Sequence, residues 1–229
     1  LGDVYKRQMY YDYGGCDKYS QGDNPRPLIQ CEYAHAMGNS MGGFKEYWDM
    51  VRKYPKYQGG FIWDFVDQAL HRKAQDGTDL WLYGTDFEKE EPRHWYSLPN
   101  TTAITGSNTY FCANGIIGAD RTVHPQYYEV QKVYAPVQTL AVNPDSGSFT
   151  VKNKMLFTNI NALECRWQIE VGGRLLMHGK LEPIDCPPLS EVTVSLPYTM
   201  DQVTGDGMAV LTVSFATTRE LPGLAAGFT

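Results

Sequence analysis

Two hydrophobic rhythms divide the chain. Up to about residue 136, short continuous apolar runs alternate with stretches of helical period, and beyond Val137 the period becomes two. Leu28-Ile29-Gln30-Cys31 is bounded by Pro27 and by the small-residue stretch 34–43, as expected of a buried parallel strand. Glu32 falls at its carboxyl end. Phe44, Tyr47, Trp48 and Val51 then recur at i, i+3, i+4 and i+7, with Ser40 as the expected cap, Arg52 and Lys53 in the last turn and Pro55 as the stop. A second buried strand is expected over 59–67, where Gly59 and Gly60 leave room for a neighbouring backbone. Beyond a polar stretch from Glu88 to Asn108, Pro125, Tyr127, Val130 and Tyr134 predict another amphipathic helix, ended by Pro136. This β-α-β-α order implies parallel strands with helices outside and right-handed crossovers. Residues 9–27, rich in Gly, Asp, Asn, Tyr and Pro, read as a surface loop. Residues 1–8 follow neither rhythm and are expected to be a leader introduced by cloning or sequence assembly.

In the remainder, Leu163, Cys165, Trp167, Ile169 and Val171 alternate with polar residues, as do Leu211, Val213 and Phe215. With Val192–Leu196 and turns at Gly172-Gly173 and Asp206-Gly207, residues 137–229 predict an antiparallel β-sandwich, truncated at its end.

Composition narrows the function classes. The 229 residues are 42% hydrophobic and carry 20 basic against 26 acidic side chains, a net charge of −6 without basic runs, which speaks against nucleic acid and anionic membrane surfaces as partners. No apolar run reaches membrane-spanning length. Five scattered cysteines without C-x-x-C spacing are expected to be free thiols. The 16 Tyr and 5 Trp suit stacking on sugar rings and suit an ordinary core equally well. The chain opens on Leu1 and closes on Phe228-Thr229, and both ends are expected to be cuts.

A carboxylate at the carboxyl end of a buried strand, followed by small residues, occupies the place where (β/α)₈ barrels keep catalytic groups, yet such a Glu is more often a capping or ion-paired residue. The wording of the segment goes further. Residues 27–40, Pro-Leu-Ile-Gln-Cys-Glu-Tyr-Ala-His-Ala-Met-Gly-Asn-Ser, resemble the nucleophile motif of the glycoside hydrolase family 2 β-galactosidases. Residues 58–68, Gln-Gly-Gly-Phe-Ile-Trp-Asp-Phe-Val-Asp-Gln, resemble the next barrel strand of that family. Tyr83–Phe87, Phe111–Gly115, Asp120-Arg121 and His124-Pro125 agree as well.

The resemblance implies an α/β plus all-β fold: the last strands and helices of a (β/α)₈ TIM barrel over 9–136, then a sandwich over 137–229 that is similar to the domain following the barrel. It implies Glu32 as the nucleophile, His35 in the sugar site and Trp63 as an apolar wall for the galactose C6 region. The backbone oxygen of Phe111 and the side-chain oxygen of Asn114 would hold sodium, a hard cation suited to oxygen ligands. Each has a bland rival: His35 as a helix-entry hydrogen-bonder, Trp63 as a core residue, Asn114-Gly115 as a turn. Asp64 and Asp67 read as partners for strand ends or for Arg121. No Asn-Glu dipeptide occurs in the chain, so the acid/base and the magnesium ligands are expected upstream. A longer stretch between Phe87 and Phe111, and Thr85 where the family often has Gly, depart from the pattern. The expected activity is retaining hydrolysis of β-D-galactosides such as lactose by a homo-oligomer in the bacterial cytoplasm or periplasm, with no turnover by this chain alone. The alternatives are a carbohydrate-binding or structural β-sandwich module, or a family 2 β-glucuronidase or β-mannosidase.

Overall fold

The computed structural model describes residues 4–83, 86, 112–221 and 223–229, Ala141 by its backbone alone. The chain divides into two compact units, Leu1–Tyr134 and Ala135–Thr229.

In the first, β1 (Lys6–Met9), β2 (Leu28–Tyr33) and β3 (Tyr57–Ile62) form a parallel sheet in that order, with α1 (Tyr13–Gln21) and α2 (Phe44–Lys53) as the crossovers. A hairpin of β4 (Leu70–Lys73) and β5 (Asp79–Leu82) and then α3 (Pro125–Tyr134) follow. Helices cover one sheet face. Cys16, Leu28 and Tyr57 are buried together against Tyr47, Met50, Val51 and Tyr54, while Tyr33, Phe44, Val130 and Val133 belong to a second cluster beside Trp48 and Tyr127. Each such apolar side chain contributes ~1.5–3 kcal/mol on full burial. On the opposite face Phe61 remains 69% exposed.

The helix over 44–53 carries the predicted residues, but its cap differs. Gly43, in a left-handed conformation (φ 72°), takes that position, while Ser40 donates to the carbonyls of His35 and Met37 at 2.6 Å each. The expected loop over 9–27 contains α1, whose start is fixed by Asp12 Oδ1 accepting the Gly15 N–H at 2.6 Å. Gly14 and Gly15 in the first turn hide this helix from propensity, and a Cβ on Gly15 would lie 2.1 Å from the Tyr11 ring. The expected strand over 59–67 ends at Ile62, with a cis peptide at Trp63–Asp64. Beyond it, Val66 bridges Ile117 in parallel, so residues 114–117 continue the sheet order irregularly. β1, of which Lys6, Arg7 and Gln8 were expected to belong to the leader and Met9 to the loop, runs parallel to β2; its side chains are mostly exposed, so no apolar rhythm announces the pairing.

The second unit is β-rich. One antiparallel sheet has the order β10-β7-β6, from β6 (Val137–Asn143), β7 (Ser148–Asn153) and β10 (Glu191–Ser195). The other has the order β11-β8-β9, from β8 (Leu163–Val171), β9 (Arg174–Lys180) and β11 (Ala209–Thr217). Phe149 and Val151 of β7 share one core with Cys165, Trp167 and Ile169 of β8, as period two requires. Gly172 and Gly173, at φ 55° and 75°, form the two-residue turn into β9. Fully buried Asn153 donates to the carbonyls of Thr158 and Cys186 and accepts the Met155 N–H, each at 2.9 Å. All five cysteines are free. Among the described residues no helix is long and apolar enough to cross a membrane.

Candidate active site

A β-bulge in β2 sets the site. Residues 30 and 33 pair with 60 and 62, and residues 8 and 9 of β1 pair with 30 and 32, so β2 carries one extra residue at Cys31-Glu32. Strict alternation from Leu28 would place Gln30 and Glu32 together against the helices. Instead Leu28, Gln30 and Tyr33 face them: Gln30 donates to the Tyr57 hydroxyl at 2.6 Å, and Tyr33 OH accepts from Trp48 Nε1 at 3.0 Å. Glu32, half-buried, is thereby turned towards the uncovered face at the carboxyl end of the strand.

Tyr10 meets it there. Its backbone N–H donates to the Glu32 carbonyl at 2.9 Å, its hydroxyl comes within interaction range of the Glu32 side chain, and its ring centroid lies 6.0 Å from that of His35. Burial, then the Glu32 carboxylate and more distantly Asp64, push the Tyr10 phenol far above its usual range, so it stays a donor. Burial lowers the pKa of His35, against the opposing pull of Glu32 and Asp64, which favours the neutral imidazole. His35 follows Ala34, held at φ 50°, in a loop that Gln126 fastens by donating to the carbonyls of Ala36 and Gly38 at 3.0 and 2.5 Å.

Trp63 is tied to the same place. Its N–H donates to the Tyr33 carbonyl at 3.0 Å and its carbonyl accepts the Ala36 N–H at 2.8 Å; its side chain is half-buried and belongs to neither buried cluster of the unit. Asn114 is buried, and its carbonyl accepts the Asp64 N–H at 2.8 Å. Asn114-Gly115 is not a turn here. Gly115 lies so close to residues 66–67 that a Cβ would stand 2.3 Å from the Asp67 nitrogen and 2.5 Å from the Val66 carbonyl carbon. Asp67 accepts the Gly115 N–H at 2.8 Å and lies 3.7 Å from His124, whereas Arg121 donates to the Ala119 carbonyl; Asp67 is thus a strand-end partner of Gly115. Asp64 accepts from Phe65 N at 2.5 Å and from Gln68 Nε2 at 2.8 Å. Phe111 lies outside the described residues, as do Thr85 and the long stretch 88–110. A separate cavity of ≈ 260 Å³, lined by Asp67, Trp81, Asp120 and His124, does not include Glu32.

The structure therefore gathers Glu32, His35 and Trp63 around one strand end, and adds Tyr10, which the sequence reading left in a loop. Its only local signal is the Tyr10-Tyr11 pair just before the helix cap Asp12.

Parallel strands linked by helices, with a carboxylate turned out at a strand's carboxyl end, are the arrangement of an α/β-barrel segment. Residues 3–139 match the glycosyl hydrolases family 2 TIM barrel domain, and residues 149–229 match β-galactosidase domain 4. The chain belongs to glycoside hydrolase family 2, as the resemblance in its sequence implied. It is 39% identical over 222 residues, 96% of its length, to a β-galactosidase of Priestia megaterium, of which it covers 20%. It is 39% identical over 197 residues, 86% of its length, to a β-galactosidase of Yersinia enterocolitica, of which it covers 17%. A β-galactosidase of Clostridium acetobutylicum is 37% identical over 193 residues, 84% of this chain and 19% of that protein. The chain thus spans about one fifth of the length of these curated relatives.

Proposed function

We propose that the chain is the nucleophile-bearing part of a retaining β-galactosidase, its second unit a β-sandwich packed as a structural domain. The observation that carries this reading is the bulge that turns Glu32 out of the helix-covered layer beside Tyr10 and His35. In the reaction, the ionised Glu32 carboxylate attacks the anomeric carbon of a terminal β-D-galactoside as the bond to the leaving oxygen breaks. A second carboxyl, about 5–5.5 Å away in such enzymes, protonates that oxygen and then activates water to release galactose with retention. That group lies outside the described residues in this reading, and the chain alone is expected not to turn over.

The Tyr10 hydroxyl faces Glu32, and neutral His35 offers a hydrogen bond to the sugar. Trp63 is the wall for the C6 region. Asn114 would lend its side-chain oxygen, with the backbone oxygen of Phe111, to sodium; oxygen donors on a buried amide fit a hard cation, which would help anchor sugar hydroxyls. Magnesium would be held by ligands that accompany the acid/base group. We further propose a homo-oligomer in the bacterial cytoplasm or periplasm.

In the full-length protein, Glu32→Gln should abolish hydrolysis of o-nitrophenyl β-D-galactoside, and a 2-fluoro-galactosyl inhibitor should label Glu32. Label on another residue, or equal turnover of β-glucuronides or β-mannosides, overturns the reading.

A further inference from the structure

Gln30 is the one charged or amide side chain of the parallel strands that is wholly buried among the described residues, and it has no contact with the open face that Glu32 occupies. On the helix side its Oε1 accepts the Tyr11 N–H at 2.8 Å, while its Nε2 donates to Tyr57 OH at 2.6 Å and to Cys16 Sγ at 3.6 Å. The Tyr11 carbonyl is held as well, by the Tyr47 hydroxyl at 3.0 Å and the Cys16 thiol at 3.6 Å. Tyr11 is thus gripped at both backbone groups from behind the sheet. The residue before it, Tyr10, sits at φ 47° with its N–H on the Glu32 carbonyl at 2.9 Å. A non-glycine residue in the left-handed region persists only where its surroundings hold it.

We infer that Gln30 is a positioning residue: through its acceptor on Tyr11 N–H it fixes the Tyr10 corner and so keeps the Tyr10 hydroxyl on the Glu32 carboxylate. This rests on the reading of Glu32 as nucleophile. Gln30 acts across the thickness of the sheet, one residue before the bulge on one strand and one residue after Tyr10 on the other. Loosening the corner lets the Tyr10 hydroxyl drift from the carboxylate, and a reacting group held less firmly turns over more slowly.

The test uses the full-length protein and four variants. Gln30→Met keeps the volume and removes the acceptor; Gln30→Glu keeps an acceptor for Tyr11 N–H in either protonation state. Tyr57→Phe removes the shorter of the two Nε2 contacts of Gln30 and leaves the Tyr11 contact. Tyr47→Phe removes the shorter of the two donors to the Tyr11 carbonyl, and carries the same expectation as Gln30→Met should that variant not fold. Expected for Gln30→Met is a kcat lower by about tenfold with KM nearly constant. Tyr47→Phe lowers kcat the same way, and Gln30→Glu and Tyr57→Phe keep it. In hydrogen exchange, the Tyr11 amide loses protection in Gln30→Met and keeps it in Tyr57→Phe. A wild-type kcat in both Gln30→Met and Tyr47→Phe, an equal loss in Tyr57→Phe, or unchanged Tyr11 protection in Gln30→Met overturns the assignment. A wild-type protein with no galactoside turnover overturns the catalytic reading instead, and the exchange measurement still decides whether Gln30 clamps Tyr11.

Discussion

Replacing Gly60 by alanine probes how tightly the site depends on strand spacing. Gly60 pairs with Gln30, and a Cβ there would stand 2.9 Å from the Gln30 Cβ, 2.9 Å from the Gln30 carbonyl oxygen and 3.1 Å from Tyr33 Cδ1. Unstrained heavy-atom contacts lie at about 3.5–4.0 Å, so β2 and β3 would have to part locally by ~0.5–1 Å. The oxygen belongs to the backbone and cannot rotate away, and the Gln30 side chain is locked by its bonds to Tyr11 and Tyr57. Overpacking of this kind costs ~1–3 kcal/mol. The bulge that aims Glu32 begins at the next residue of β2, so the same displacement reaches the carboxylate, and a misplacement near 1 Å costs about 100-fold in rate. Urea unfolding and steady-state kinetics of the full-length protein should therefore fall together in Gly60→Ala. Gly42→Ala is the control: no atom lies within 4 Å of its added carbon, and both measurements should stay at wild type. A Gly60→Ala protein with an unchanged midpoint and turnover, or a Gly42→Ala protein equally impaired, refutes the reasoning.

Asn153→Ala removes three hydrogen bonds of one fully buried side chain at once, so the second unit should lose ~2–4 kcal/mol in urea unfolding. His35 binds its proton less readily in the folded chain than at the ordinary value of 6.5, so the unfolded state takes up more protons as pH falls. Its contribution to stability is present above pH 6.5 and is lost as pH falls through that value towards the lower folded pKa. Thermal melts across pH 7 to 5 should accordingly show a shallower decline in His35→Gln than in wild type.

The periodic elements were legible and the long-range ones were not. Phe44, Tyr47, Trp48 and Val51 announce α2 because a helix buries one stripe, and Leu163–Val171 announces β8 because a half-buried strand alternates. α1 escaped notice because its first turn is Gly-Gly and its stability comes from Tyr11, Asp12 and contacts of Cys16. The β4–β5 hairpin is almost entirely exposed, so it carries no apolar rhythm beyond a Gln75-Asp76-Gly77 turn. Site residues followed the same division. Glu32, His35 and Trp63 lie within contiguous motif wording, whereas Tyr10 meets Glu32 from the end of the neighbouring strand, with only the Tyr10-Tyr11 pair as a local mark.

The phase of β2 is where sequence reasoning stops and packing physics takes over. An apolar run buried on both faces has no preferred parity, so Leu28-Ile29-Gln30-Cys31 says that a strand exists but not which way Glu32 points. Two neighbours decide it. Tyr33 has to reach the layer of Phe44, Tyr47 and Trp48, with ring centroids 5.6 Å from Phe44 and 5.5 Å from Tyr47. Leu28 has to stay in the cluster of Cys16 and Tyr57, five residues earlier. Five is odd, and a strand can present both ends of an odd interval to one face only by adding a residue to its ladder. Without that residue, keeping Leu28 inward would press the Glu32 carboxylate into the aromatic layer, where burying a charge without a partner costs several kcal/mol. The bulge resolves both demands by one step: it keeps Tyr33 in the core and turns the carboxylate out to Tyr10. The carboxylate is thus turned outward by the same packing constraint that buries its neighbour.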